Sequence, residues 1–323
     1  GALSSYKQIN YFYGINPVTA RKETDWNNFP GFTVKGGLNY NLTSRMNAFV
    51  NLGYLMKAPR FNNVYDYDNT KFLNIKSEYV KAIEGGYSYS SPIFSANLNA
   101  YYTIWENKPV DRASKVSVEV SPGEFEEQSV NIDGLNALHK GVELDFIFKL
   151  NEKFDFQGLV SIGDWRWNSE DTVRIYDDNQ NLLRKQYFDV RRVHVGNSAQ
   201  TQFGAEIRWE PIKNLYIKPS YIYFADYYAE FDPISLDGSP ESYEWYNEET
   251  DEHGDPRDSW KIPAYGLLDL HAGYRFQIKK HFIQVRLNVL NILNTSYIAT
   301  AQNNDPYNGQ TYNDFDAKSS AVF

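Results

Sequence analysis

The densest run of side chains able to do chemistry in this 323-residue sequence lies between Ser239 and Trp260. It interleaves Tyr243, Trp245 and Tyr246 with Glu241, Glu244, Glu248, Glu249, Asp251, Glu252, Asp255 and Asp258. Carboxylates are hard oxygen ligands, and aromatic rings offer flat stacking surface. Asp251 and Asp255 are therefore candidate surface Ca²⁺ ligands, the only cofactor expectation, although the Asp-x-Asp-x-Asp-Gly loop pattern is absent. The three rings are candidate contacts for a ligand or a surface lipoprotein. The simpler reading, an acidic loop in solvent, is favoured.

Two other stretches mix rings with oxygen donors. Tyr65 and Tyr67 alternate with Asp66 and Asp68, and Trp165 and Trp167 precede Asp177 and Asp178. Tyr65, Tyr67 and Trp167 join the ligand candidates. Trp105, Trp165 and Trp167 fall where strand-like segments enter long connections, so a membrane girdle or rim role is expected first. His139 with Asp145, and His271 with Asp269, raise a hydrolase site. Asp269 and His271 are two apart on one strand, same-face neighbours without an oriented nucleophile, so no enzyme is expected.

The segments that position these residues alternate in polarity. In 201–209, Thr201, Phe203, Ala205, Ile207 and Trp209 oppose Gln202, Gly204, Glu206 and Arg208. In 282–290, Ile283, Val285, Leu287 and Val289 oppose Gln284, Arg286 and Asn288. Successive strand residues point to opposite faces, so each segment has one apolar and one polar side. Ten such strands are legible between 31 and 292, and an eleventh is expected in 4–15. They join by short turns at 41–44, 90–92, 151–153, 211–213 and 279–280. These alternate with long connections at 57–77, 106–136, 169–198 and 225–261. Short turns at one end and long loops at the other are the pattern of a transmembrane antiparallel β-barrel with its apolar face toward lipid. The polar faces then line a wet lumen. There Glu84, Glu143, Asp145, Glu206, Arg208, Asp269, Arg275 and Arg286 are expected to pair with one another or with whatever fills the barrel.

Composition agrees. Aromatics make up 16% of the chain, cysteine is absent and the net charge is −9, which argues against nucleic acid as a partner. Mean hydropathy is −0.58, and no apolar run is long enough for a membrane-spanning helix. The chain opens Gly-Ala-Leu-Ser-Ser without a secretion signal, so the mature start is expected upstream.

Several stretches carry a family likeness. They are Gly36–Leu42, Phe49–Tyr54 with Ala58-Pro59-Arg60-Phe61, Lys76-Ser77-Glu78 with Glu84–Tyr87, Lys140–Leu144 and Asn288–Tyr297. Together they resemble the C-terminal half of the barrel of a TonB-dependent outer-membrane transporter of the Bacteroidota type. The resemblance implies a barrel of about 22 strands holding an N-terminal plug. It also implies import of a scarce ligand across the outer membrane of a Gram-negative bacterium, driven by a TonB-type periplasmic energy-transducing protein. Residues 1–323 are then expected to be the C-terminal part of that barrel, with the plug, the N-terminal strands and the final strand outside them. The lumen charges become expected plug contacts. The alternative is a surface adhesin, or a barrel of a larger outer-membrane assembly, without import.

Overall fold

The computed structural model describes residues 1–9, 21–65, 69–72, 75–108, 114–121, 124–130, 134–176 and 182–302. The strands in chain order are β1 (Ala2–Tyr6), β2 (Asn27–Asn41), β3 (Met46–Lys57), β4 (Glu78–Ser90) and β5 (Phe94–Lys108). Next come β6 (Ser114–Ser121), β7 (Glu124–Val130), β8 (Leu135–Asn151), β9 (Phe154–Trp167), β10 (Glu170–Tyr176) and β11 (Leu182–Asp189). The last are β12 (Ala199–Ile212), β13 (Leu215–Tyr228), β14 (Tyr246–Asn247), β15 (Glu252–His253), β16 (Lys261–Ile262), β17 (Tyr265–Ile278) and β18 (His281–Val289).

One sheet runs β1-β2-β3-β4-β5-β8-β9-β12-β13-β17-β18, with β16 added beside β13. Every pairing along it is antiparallel. Except for β1, its path strands have 9 to 17 residues. All five expected short turns are present, the fourth displaced to Lys213-Asn214, where Asn214 adopts φ 68°. The first strand begins earlier than expected and ends at Tyr6; residues 10–15 of the expected 4–15 segment lie outside the described residues. Three long connections carry hairpins of their own, β6–β7, β10–β11 and β14–β15, which alternation alone had left as loops.

The apolar side of the sheet is bare. Leu38 is 81% exposed and Leu287 56%. Water would not leave so wide an apolar face uncovered, whereas acyl chains solvate it. Lys140 interrupts this face, and the interruption is paired. Its cross-strand partner is Asp164, with Nζ 3.0 Å from the carboxylate, and Asp164 also holds Arg166 at 2.6 Å. Lys81 and Glu106 form a second such pair at 2.6 Å. These pairs lie toward the long-connection ends of their strands and close the apolar band there.

The buried core lies at that end too, among the long connections. Leu135, Ala137, Trp167, Phe188, Val190, Val193, Val195, Phe231 and Leu236 form one cluster, with Trp105 and Trp165 packed against it. A second gathers Ala199, Tyr227, Ala229, Ile262 and Ala301. The 225–261 connection is therefore no simple solvated loop. Its Phe231, Leu236 and Tyr243 are buried, while most of its carboxylates stay in solvent.

Candidate functional site at the mouth of the barrel

On the polar face at the long-connection end stands a column of rings. Trp105, His139 and Trp165 occupy neighbouring strands β5, β8 and β9. Their centroids are 5.7 Å and 5.2 Å apart, with interplanar angles of 19° and 10°. The Trp165 indole Nε1–H donates to the Tyr101 hydroxyl at 2.8 Å. The Tyr101 ring lies across Gly141, where a Cβ would meet its hydroxyl at 2.5 Å and a backbone carbonyl at 2.7 Å. Polar-face glycines thus make room for rings laid flat across the wall. Gly86 under Phe49 and Gly273 under Tyr216 repeat the arrangement.

Cations flank the column. Register shifts between Trp105 and Lys108, and Asn107 takes φ 56°. The extra residue turns Lys108 onto the face that strict alternation would deny it. Its Nζ lies 5.2 Å from the Trp105 centroid and 4.9 Å from that of Trp167, and Lys57 stands 4.6 Å from Trp105. Lys57 also pairs with the buried Glu78 at 3.2 Å. Gln200, fully buried, fixes the next strand against the column. Its Oε1 accepts from the Trp165 backbone N–H at 2.7 Å, and its Nε2 donates to the Trp165 and Val195 carbonyls at 3.1 and 3.3 Å. Trp105, Trp165 and Trp167 therefore face away from lipid, which corrects the girdle expectation. Trp167 is buried as a packing residue rather than offered to a ligand.

Above this wall the loops leave a cleft of about 600 Å³ lined by Asn168, Asp189, Arg191, Arg192, Glu244, Trp245, His253, Gly254, Asp255 and Pro256. Asp189, 1% exposed, accepts from the Arg191 side chain at 2.7 and 3.0 Å, and Arg191 reaches Glu170 at 2.7 Å. Arg192 pairs with Asp255 at 2.8 Å. Tyr243, in the 240–246 segment, stacks on His253 at 3.7 Å and anchors the β14–β15 hairpin. Burial pushes the Tyr187 and Tyr243 phenols up from their usual range, and Tyr187 donates to Glu170 at 2.6 Å. Both phenols stay protonated at physiological pH.

The remaining candidates separate. Trp245 is exposed and lines the cleft, and Tyr246 donates to Asp251 at 2.5 Å. Tyr65 is buried, its hydroxyl donating to the Tyr6 carbonyl at 2.9 Å; Tyr67 lies outside the described residues. Asp251 and Asp255 have separate partners, and among the described residues no group of three or more His, Asp or Glu is placed to hold a metal. The eight lumen charges do not pair with one another. Glu206 binds Lys218 at 2.8 Å, and Arg208 binds Asp155 at 3.6 Å and also Glu210. Asp145 accepts from Asn97 at 2.8 Å and Asp269 from the Asn291 N–H at 2.7 Å, while Asn51 reaches Glu84 at 3.4 Å. Arg275 covers the Phe282 ring at 4.8 Å and Arg286 donates to Gln284 at 3.2 Å. Glu143 forms no ion pair among the described residues. His271 is held by Asn288 at 2.8 Å. Lys57, Lys108, Gln200, Arg191 and Arg192 are additions that alternation did not single out.

A family described as TonB dependent receptor-like, beta-barrel, matches residues 5–292. The chain belongs to that family. It is a transmembrane antiparallel β-barrel domain, in a family of transporters and receptors. Among solved structures, this barrel is similar to "Copper transporter OprC", with TM-score 0.53 and 12% identity over 86% of this chain and 37% of that one. It is also similar to the FrpB iron transporter from Neisseria meningitidis, with TM-score 0.50 and 16% identity over 84% of this chain and 36% of that one. A third is a ferric enterobactin receptor, PfeA, from Pseudomonas aeruginosa, with TM-score 0.51 and 14% identity over 84% and 35%. At these identities the likeness is one of fold, and the chain spans a little over a third of each relative. No curated protein matches in sequence.

Proposed function

We infer that this chain is the C-terminal part of the barrel of an energised importer in the outer membrane of a Gram-negative bacterium, of the Bacteroidota type. The observation that carries the reading is the open sheet. Within the described residues β1 and β18 each have one neighbour, and the family match runs through the whole path between them. Unpaired strand edges are not tolerated in lipid, so further strands close the barrel. A barrel of about 22 strands encloses a lumen that needs a plug. The charges Glu84, Glu143 and Asp145 form no ion pair within the wall and suit contacts to such a plug. Loops capture ligand, the ring column and its lysines line the way in, and a TonB-type periplasmic protein supplies the energy. No catalytic step is assigned.

The test is capture. Full-length receptor purified from outer membranes should retain the soluble periplasmic domain of the host's TonB-type transducer, and removal of the receptor's N-terminal region should abolish retention. A receptor that never retains it is an adhesin or an assembly barrel instead.

A further inference from the structure

We propose that the short-turn end of the barrel is a docking surface for anionic phospholipid headgroups of the periplasmic leaflet. The residues between the paired strands at the five short turns include Arg45, Lys153, Lys213, Lys279 and Lys280, against Glu152 as their one carboxylate. The chain as a whole has the opposite balance, with a net charge of −9. All five cations are exposed, and none forms an ion pair among the described residues. The nearby Asp155 and Glu210 are taken up by Arg208. At the other end of the barrel Lys81, Lys140, Arg192 and Lys261 each hold a carboxylate. The turns therefore carry an unmatched positive rim.

Backbone bonds hold that rim in line. The Arg45 carbonyl accepts from the Ser90 N–H at 2.8 Å, Ile93 from Lys149 at 2.8 Å, Lys153 from Glu210 at 2.8 Å and Asn214 from Arg275 at 3.0 Å. Each bond joins one turn to the next hairpin. Behind the rim the lipid-facing wall carries a belt of rings. Tyr89, Phe94, Phe146 and Phe156 follow one another at 6.1, 6.4 and 5.6 Å across β4, β5, β8 and β9. Phe154 stacks on Trp209 of β12 at 5.9 Å. Aromatic belts mark membrane interfaces. Each turn also carries one aliphatic side chain, Leu42, Ile93, Leu150, Ile212 or Ile278, that is at least half exposed. Cations just outside such a belt reach the headgroup layer, where anionic lipid attracts them. A lipid phosphate meets the cations while its acyl chains meet the rings and aliphatics. An acidic protein approaching through water would leave those apolar side chains uncovered.

The proposal rests on the placement of the barrel in the outer membrane and not on import, so a receptor that fails to retain the transducer leaves it standing. Full-length receptor is reconstituted in phosphatidylcholine vesicles with a trace of spin-labelled phosphatidylglycerol or spin-labelled phosphatidylcholine. Electron paramagnetic resonance then gives the fraction of each lipid immobilised on the protein. At low salt phosphatidylglycerol should be favoured by about threefold or more. In about 1 M salt, which screens exposed charge, the preference should fall toward parity. Arg45→Gln, Lys153→Gln, Lys213→Gln, Lys279→Gln and Lys280→Gln together should remove most of the low-salt preference. Lys279→Gln with Lys280→Gln should lower it in part, and changing the four lysines to Arg should keep it. Lys22→Gln with Lys185→Gln, exposed cations of the long connections, should leave it unchanged. No preference in the native protein, or a preference that either neutralised variant leaves unmoved, overturns the proposal. So does binding to isolated peptidoglycan sacculi through these cations without any preference for phosphatidylglycerol.

Discussion

The imidazole of His139 lies parallel to the indole of Trp165, 5.2 Å between centroids and 10° between planes, on the luminal wall of the barrel. Trp105 covers the other side of the imidazole. Three strands are thereby tied together by rings rather than by charge. Trp165→Phe removes the hydrogen bond to Tyr101 and trims the stack. It should cost about 1–2 kcal/mol, read as a lower unfolding midpoint in detergent.

Gln200 gives a sharper test, because its side chain bonds the Trp165 N–H and the Trp165 and Val195 carbonyls, tying β9 to the 195–200 segment; the Trp165 carbonyl also accepts from the Val195 N–H at 2.9 Å. Gln200→Leu keeps the size and strands the Trp165 N–H and the Val195 carbonyl. A loss of about 2–3 kcal/mol is expected from the same unfolding measurement. Gln202→Leu, on the same strand, should cost less, since its side chain makes one bond to the Ala199 carbonyl.

The glycines separate into two kinds. Gly141→Ala drives a Cβ into Tyr101 and a backbone carbonyl, whereas nothing lies within 4 Å of the Cβ position at Gly36. Gly141→Ala should destabilise the barrel by about 1–3 kcal/mol and lower the yield of the heat-modifiable folded form on gels, while Gly36→Ala should leave both unchanged.

Much of this architecture was legible in the sequence, and the reason is physical. A strand solvated by lipid on one side and water on the other must alternate, and five tight turns must each close a hairpin. The fold follows from those two constraints. The mouth was less legible. Lys108 sits on the luminal face because of a bulge, and a bulge breaks the period that identifies faces. Trp167 and Tyr243 looked like surface rings because their loops read as polar, yet both are covered by segments distant in the chain. The Arg191–Asp189 and Arg192–Asp255 pairs involve loops whose approach no local pattern encodes.

Asp189 is one such case. It is fully buried, while its partner Arg191 is 45% exposed. Arg191→Ala leaves the carboxylate without its counter-charge. The expected loss is about 2 kcal/mol, less than for a wholly buried pair because water reaches the guanidinium. It should appear as faster protease nicking of the 169–198 connection in intact cells. Asp189→Asn with Arg191→Ala should restore part of the protection.

Face assignment has its own test. Leu98, midway along β5, points to lipid, and Asn99 points to the lumen. Leu98→Arg should cost about 2–4 kcal/mol in bilayers and reduce insertion, while Asn99→Arg should be close to neutral. A larger cost at Asn99 than at Leu98 would mean that the faces are reversed, and equal effects would mean that the strand is not in lipid.

The central claim is that these strands are one part of a larger, plugged barrel. Intact mass spectrometry of the protein purified from native outer membranes tests it most directly. The expected result is a single polypeptide far heavier than 37.5 kDa, with a folded domain preceding Gly1 and a further strand following Phe323. A stable, membrane-inserted species of 37.5 kDa would contradict it, because the barrel would then close with these strands alone and would have no plug to move.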